Sequence, residues 1–422
     1  MAGRIASPLD PVTITFDGEA VVAARGEPLA CALVAANKIV LARSPKFHRP
    51  RGPSCMRSAC DGCLARVDGA PNVMTCMVPA REGMVVKSQN TLGSRDVDFL
   101  RVTDWFFPEG LNHHELFAGI PGVQQVMQIF ARRVAGLGRL PDAAGQARKA
   151  ARRALDVLVV GSGVSGMAIA SELASKGRSV EVIDDALAPG GSLRALGESG
   201  KAWRPIADAF TAHVTRKDVT LRMSTTAGGI YGDDVLVVGP GGAEVITARA
   251  VIFASGAHDG SLAFEGNDLP GVMSARAGGF LLARGVTLGK KIVIAVAEGG
   301  GPFGEAYAEE ASRSGLKAAV TLVRGPPIRA RGTSRVKGVT FGEGKREKTF
   351  DADALLVDAP RAPAYELCEQ AGASLVHRPF GFVAQTENGR IRPGFWAVGE
   401  VLGTPFAVDA VLAEARRVAA AC

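Results

Sequence analysis

Aromatic residues are scarce, at 6% of 422 residues with 3 Trp and 3 Tyr. A nucleic-acid surface needs basic residues interleaved with stacking aromatics, so the net charge of +7 does not point to one. No apolar run reaches the roughly 18 residues of a membrane span, and no transmembrane helix is expected. The opening MAGRIASPLD lacks the apolar core of a signal peptide, which argues against export and for a cytoplasmic chain. Cysteine is also sparse: 7 residues in a chain this long make no disulfide framework. No convincing repeat with a period of about 20–50 residues is present.

Glycine, by contrast, is abundant at 52 residues, which predicts tight turns and close backbone approaches to ligands. Length and a hydrophobic content of 47% suit two to three domains. Residues 1–92 read as a small β-rich domain, with VTITFDG and EAVVAARGE as a hairpin around Asp17-Gly18 and PLACALVAANK as a helix. Residues 93–153 read as a helical linker ending in the basic QARKAARRALD, taken as a solvated helix or linker, with a docking surface as the other reading. Residues 154–285 and 340–422 carry the pattern strand, glycine loop, helix, strand of a doubly wound α/β domain, and 286–339 a second, shortened unit.

Four of the cysteines cluster. Cys55, Cys60, Cys63 and Cys76 give C-x4-C-x2-C-x12-C, and the first three match the spacing of plant-type [2Fe–2S] ferredoxins. Each iron needs two thiolates beside two bridging sulfides; a tight loop supplies three ligands and a nearby strand the fourth. Gly62, with small Ser58 and Ala59, lets backbone amides approach the sulfurs and tune the potential. A β-grasp ferredoxin-like domain is the expected fold. Structural zinc is the competing reading, but zinc favours paired C-x2-C knuckles and only one pair has that spacing. Cys31 reads as a buried small hydrophobe; Cys368 and Cys422 are isolated and carry no assignment.

DVLVVGSGVSGMAIASELASKGRSVEVIDD runs a strand into Gly161-x-Gly163-x-x-Gly166, then a helix, then a strand ending in Asp184. Gly161 permits the turn, Gly163 admits the pyrophosphate, and Gly166 lets helix and strand pack closely. The helix N-terminus stabilises the phosphate charge, and Asp184 is placed to hold a ribose hydroxyl. RAVIFASGA ends in Ala254-Ser255-Gly256 and RPGFWAVGEVLG in Gly399-Glu400. In two-dinucleotide flavoproteins these strands complete an FAD domain, Glu400 standing where Asp is usual on the ribitol chain; ordinary buried strands with turn glycines are the plainer reading. A second loop, Gly299-x-Gly301-x-x-Gly304, follows KKIVIAV. Here Ala297 and Glu298 push the glycines out of register, and AAVTLVR leads into GPPIRARGTS with no helix. Retained NAD(P) binding and a remnant scaffold both remain open. No Cys-x-x-Cys pair lies in the flavin region, so dithiol reductase chemistry is not expected. Adjacent His113 and His114 read as surface residues, and His258 as a turn residue or one near a flavin edge.

With these pieces placed, the chain resembles the alpha subunits of heteromeric amine and amino-acid oxidoreductases: heterotetrameric sarcosine oxidase, opine oxidase, hydrogen cyanide synthase, and the dye-linked proline and hydroxyproline dehydrogenases. IDDALAPGGSLR (183–194) is similar to the family's D-[DE]-x-x-x-P-G-G-x-x signature, KFHRPRG (46–52) to the stretch before its cysteine loop, and GVMSARAG (271–278) to a further motif. The resemblance covers about residues 12–422. It implies that Gly190 and Gly191 approach the flavin, with Arg194 in the same cofactor-binding stretch. It also implies a partner beta subunit, carrying its own FAD, that oxidises a C–N bond while the alpha subunit relays electrons; in some members FMN sits between the subunits. The chain departs from sarcosine oxidase alpha in lacking the folate-binding C-terminal extension, which argues against folate-coupled demethylation. It departs again in its shortened second nucleotide domain.

The expectation is an electron-transfer FAD/[2Fe–2S] subunit of a multi-subunit amine or amino-acid dehydrogenase or oxidase, since no substrate-activating constellation is visible. A self-sufficient NAD(P)H-dependent reductase would need a working second site. A docking subunit with structural cofactors would hold a flavin that substrate never reduces.

Overall fold

The computed structural model describes residues 2–44, 48–91, 122–123, 125–126 and 149–422. His113, His114, Lys46, Phe47 and most of the expected linker lie outside the described residues.

Alternating valines, threonines and isoleucines make Pro11–Phe16 a strand with one face buried, and Asp17-Gly18, both at positive φ, turn it into Glu19–Ala24. The strands join Val85–Lys87, Leu64–Val67 and Ala70–Met74 in a five-stranded sheet, with Pro11–Phe16 parallel to Val85–Lys87. The helix Leu29–Ala35, buried along nearly its whole length, is grasped by this sheet. This is the β-grasp arrangement.

The main sheet runs in the order 219–222, 180–183, 151–160, 242–253, 234–239, 226–231, with Phe395–Ala397 added parallel to Gly242–Phe253. Its inner strands are parallel and read as continuous apolar runs because both faces are covered; Val157, Leu158 and Val159 are fully buried. Helices Val164–Ser175 and Val408–Ala421 pack together over one face.

The basic stretch before this domain departs from the linker expectation. Ala151–Val160 is one strand, so Arg152 and Arg153 lie in the sheet. Arg153 contacts Glu181 at 2.7 Å and Glu244 at 3.0 Å, and Arg222 contacts the same two acids. Pairing with acids on neighbouring strands is what lets a basic segment extend the sheet.

The second nucleotide unit is a four-stranded parallel sheet in the order 272–274, 354–358, 291–296, 319–324, followed by an antiparallel trio, 327–332, 336–341 and 348–351. The expected boundaries of 286–339 are too narrow: Val272–Ser274 and Ala354–Asp358 belong to this sheet, not to the flavin domain's. As expected, no helix follows Ala319–Arg324. Among the described residues no helix is long and apolar enough to cross a membrane.

Candidate functional site

The cysteine loop is held open by backbone geometry. Met56 and Ser58 adopt positive φ, and a Cβ on Gly62 would meet the Gly52 carbonyl oxygen at 2.2 Å, so only glycine fits there. Thr75, fully buried, donates its hydroxyl to the Cys63 carbonyl at 2.8 Å and ties the loop to the segment carrying Cys76. The four sulfurs gather as two pairs. Cys55 interacts most strongly with Cys60, and Cys63 with Cys76. The interaction with Cys55, helped by backbone amides, lowers the Cys60 thiol to about 6, and that with Cys76 lowers Cys63. Cys55 and Cys76 are pushed up in return. The Arg57 and Ser58 amides donate to Cys55 Sγ (3.4 Å) and Cys76 Sγ (3.5 Å).

Two pairs of thiols, one thiolate favoured in each, suit two irons taking two ligands apiece. A single zinc wants its ligands around one point. Among the described residues no group of three or more Cys, His, Asp or Glu side chains could hold one metal ion.

The cluster loop sits against the first glycine loop. Met56, Arg57, Ser58 and Cys76 line the same cleft as Gly161, Gly163, Asp184, Gly191, Arg194, Ala254, Gly256 and Glu400. Gly166, Gly190 and Gly399 stand behind its walls. Gly166 packs helix to strand, since a Cβ there would meet the Gly161 oxygen at 1.9 Å; Gly190 caps the turn at φ 110°; Gly399 donates its N–H to Glu414 at 2.5 Å. Asp184 accepts from the Ser162 amide (2.6 Å), the Ser162 hydroxyl (2.7 Å) and the Ala186 amide (2.8 Å). It therefore shapes the loop as well as facing the cleft. Gly163 and Gly191 pack against each other: a Cβ on Gly191 would meet the Gly163 Cα at 2.8 Å, and one on Gly163 would lie 4.0 Å from the Gly191 Cα. Two bare backbone turns thus meet at the cleft wall, which fits the close approach of a dinucleotide.

Glu400, expected on the ribitol chain, lines the cleft. It pairs with Arg361 at 2.6 Å, and the Arg361 guanidinium lies over the rings of Phe303 and Phe406. His258, half exposed, bonds Glu366 at 2.9 Å at the cleft's edge. Cys31 and Cys368 are fully buried, and burial pushes both thiols up to about 12.

In the second loop, Gly301 and Gly304 donate their amides to the two carboxylate oxygens of Asp358, at 2.9 and 2.6 Å. Asp358 ends the strand Ala354–Asp358 and is 3% exposed. An internal carboxylate thus occupies the donors that a phosphate would need. Burial pushes the Asp358 carboxyl up, and these amides pull it back. Sequence reading missed Asp358, although an acid closing the apolar run ALLVD was a usable signal. It also missed the interdomain ties: Ser58 to Asp185 at 2.8 Å, Arg57 to the Ala257 carbonyl at 3.1 Å, and Arg51 to Asp268 at 2.7 Å.

Family models match in the same places. A 2Fe-2S iron-sulfur cluster binding domain covers residues 10–91, and the pyridine nucleotide-disulphide oxidoreductase model covers 113–269 and 155–333, together over half the chain. The chain belongs to the pyridine nucleotide-disulphide oxidoreductase family, with a 2Fe–2S domain at its front. This oxidoreductase is accordingly a flavoprotein with [2Fe–2S] and FAD as its cofactors. It is a homologue of the sarcosine oxidase alpha subunits: 28% identical to that of Rhizobium meliloti over 86% of this chain and 41% of the relative. It is 36% identical to that of Corynebacterium sp. strain P-1 over 33% of this chain and 17% of the relative. An opine oxidase subunit of Agrobacterium tumefaciens is 32% identical over 29% of this chain and 28% of the relative. The chain spans about two-fifths of the length of the first of these relatives. In fold it is similar to L-proline dehydrogenase from P. horikoshii, with a TM-score of 0.74, 20% identity and coverage of 99% of this chain and 74% of that one.

Proposed function

We propose that this oxidoreductase is the electron-transfer FAD/[2Fe–2S] subunit of a multi-subunit amine or amino-acid dehydrogenase or oxidase, relaying electrons from a partner flavoprotein subunit that holds the substrate. When bound, FAD exchanges two electrons and the cluster one at a time. In this reading Cys55 and Cys60 hold one iron and Cys63 and Cys76 the other. Gly161, Gly163 and the helix behind them cradle the pyrophosphate, and Asp184 and Gly191 bound the site.

The observation that carries the proposal is the occupied second loop. Hydride delivery from a nicotinamide needs that nucleotide held by its phosphates with its ring against the flavin. Asp358 takes the amides such a phosphate would use and adds a negative charge where the ligand is anionic. The reading as a self-sufficient NAD(P)H reductase has no support there, so electrons enter from elsewhere. The shared wall of cluster loop and dinucleotide cleft supports transfer within the chain. The names of the relatives support a C–N bond as the site of oxidation and a partner as its location. A reducing cytoplasm suits a chain whose seven cysteines form no disulfide.

The test is anaerobic mixing of the purified chain with NADH, NADPH and a panel of secondary amino acids. Slow or no flavin bleaching is expected from all, with rapid reduction once the co-purifying partner subunit is added. Rapid bleaching by a nicotinamide would establish the reductase reading. Bleaching by an amino acid without the partner would overturn the division of labour.

A further inference from the structure

We infer that Arg57, a residue of the cluster loop, is part of the dinucleotide site and pairs with the nucleotide's phosphates. The inference rests on the cleft assignment proposed above and extends it across the domain boundary.

Three observations lead there. The first is position. Arg57 lines the cleft, and its Nη1 donates to the Ala257 carbonyl at 3.1 Å. The same carbonyl accepts from Arg276 Nη2 at 3.0 Å, and Arg276 Nη1 reaches the Ser192 hydroxyl at 2.7 Å. Ser192 follows Gly191, the residue packed against Gly163 at the phosphate cradle. Arg57 is therefore linked to the edge of that cradle by three successive hydrogen bonds, through Ala257 and Arg276 to Ser192.

The second observation is charge. Arg276, almost fully buried, is paired with Asp259 at 2.7 Å, and Arg361 is paired with Glu400. Among the described residues Arg57 has no ion pair; a carbonyl is its one side-chain partner. The acid beside it, Asp185, feels the Arg57 charge but makes no ion pair with it, its Oδ2 accepting from the Ser58 hydroxyl at 2.8 Å. A half-buried guanidinium that faces a cleft with a carbonyl as its one hydrogen-bonded side-chain partner keeps donors for an anion. The anion this cleft is shaped for, between two glycine turns and a helix N-terminus, is a diphosphate.

The third observation is what Arg57 is attached to. Its amide and that of Ser58 are the donors to Cys55 Sγ and Cys76 Sγ. Such donors help set a cluster's electronic properties. A phosphate that pulls on the Arg57 side chain acts on the backbone that supplies them, so filling the cleft reports to the cluster.

The experiment uses the full chain with its cluster in place, freed of FAD and titrated with FAD and with ADP, which carries the diphosphate without the flavin. Arg57→Gln is expected to weaken both ligands about tenfold or more, and Arg57→Lys, which keeps the charge, to recover most of that loss. In the unmodified chain, ADP is expected to alter the electron paramagnetic resonance spectrum of the reduced cluster. ADP bound equally well by the Gln variant, or a loss confined to FAD, would overturn the phosphate assignment. Should the Gln variant fail to assemble its cluster, an unchanged spectrum on adding ADP to the unmodified chain overturns it instead. An unmodified chain that takes up neither FAD nor ADP would sink the cleft assignment itself, and this inference with it.

Discussion

Replacing Gly163 by valine should separate cofactor binding from folding. Gly163 precedes the helix Val164–Ser175 with φ −70° and ψ −177°, an extended conformation open to any residue. A Cβ there meets nothing nearer than the Gly191 Cα at 4.0 Å. Losing glycine at the helix N-cap then costs the fold on the order of 1 kcal/mol. The added methyls, however, point into the cleft. They would hold a phosphate away from the loop and helix amides, and each charge-assisted bond lost is about 1.5–3 kcal/mol. Two such bonds amount to roughly 3–6 kcal/mol, or a weakening of about a hundredfold to ten-thousandfold.

Gly166→Ala is the contrasting control from the same motif. Its Cβ would lie 1.9 Å from the Gly161 oxygen, a backbone atom that cannot swing aside. Helix and strand must part, at about 1–3 kcal/mol or more. The assays are FAD content after gel filtration, fluorescence titration with FAD, and thermal unfolding by circular dichroism. Gly163→Val should lose FAD and keep its cluster, and should melt within a few degrees of the unmodified chain stripped of FAD; Gly166→Ala should melt lower than both when all are compared without FAD. A Gly163→Val protein with stoichiometric FAD, or one that melts as early as Gly166→Ala, would refute the reasoning.

The native chain should contain about two irons and two acid-labile sulfides, and Cys60→Ser should bleach it while Cys368→Ser leaves the spectrum unchanged; zinc without labile sulfide would count against the cluster. Asp358→Asn leaves one acceptor for two buried amides, so hydrogen exchange at Gly301 or Gly304 should speed up about tenfold to a hundredfold, as an unpaired buried N–H costs about 1–3 kcal/mol; unchanged protection would remove Asp358 as the loop's occupant. Asp156 is held below its ordinary value of 3.8 by the hydrogen bond from Arg178. Because the folded value is the lower one, its stabilisation is complete above the ordinary value and lost as pH falls through the folded one. Thermal scans across pH 2–5 should show a shallower acid loss in Arg178→Gln than in the unmodified chain, and identical slopes would dismiss this pair.

The elements most legible in the sequence were those whose signal is local. The hairpin at Asp17-Gly18, the C-x4-C-x2-C loop and the strand–loop–helix at Gly161 each need only their own residues to be recognised. What was hidden depended on partners far along the chain. Arg152 and Arg153 read as a solvated run because Glu181 and Glu244, which draw them into the sheet, lie 28 and 91 residues from Arg153. The second sheet was cut too short because its strand Ala354–Asp358 returns after an antiparallel excursion that no periodicity announces. The pairing of Glu400 with Arg361 was hidden too, because Arg361 sits on a segment that carries no motif.

The two glycine loops show why motif and function part company. Both follow a parallel strand, both open a helix, and both present amides suited to an anion. In the first, the Gly161 and Ser162 amides go to the Ile183 carbonyl and to one Asp184 oxygen, and the turn and the helix it opens still line a cleft. The second has an aspartate at the end of the neighbouring strand, reaching in with both oxygens. The difference is one carboxylate on a strand 54 residues beyond Gly304, which no reading of the G-x-G-x-x-G spacing could contain. Burial raises the cost of keeping that carboxylate charged, so its two amide bonds are needed to hold it there; a competing phosphate would have to displace the carboxylate and leave it buried without them. That exchange is unfavourable in both its steps, which is the physical ground for expecting no nicotinamide phosphate at the second loop.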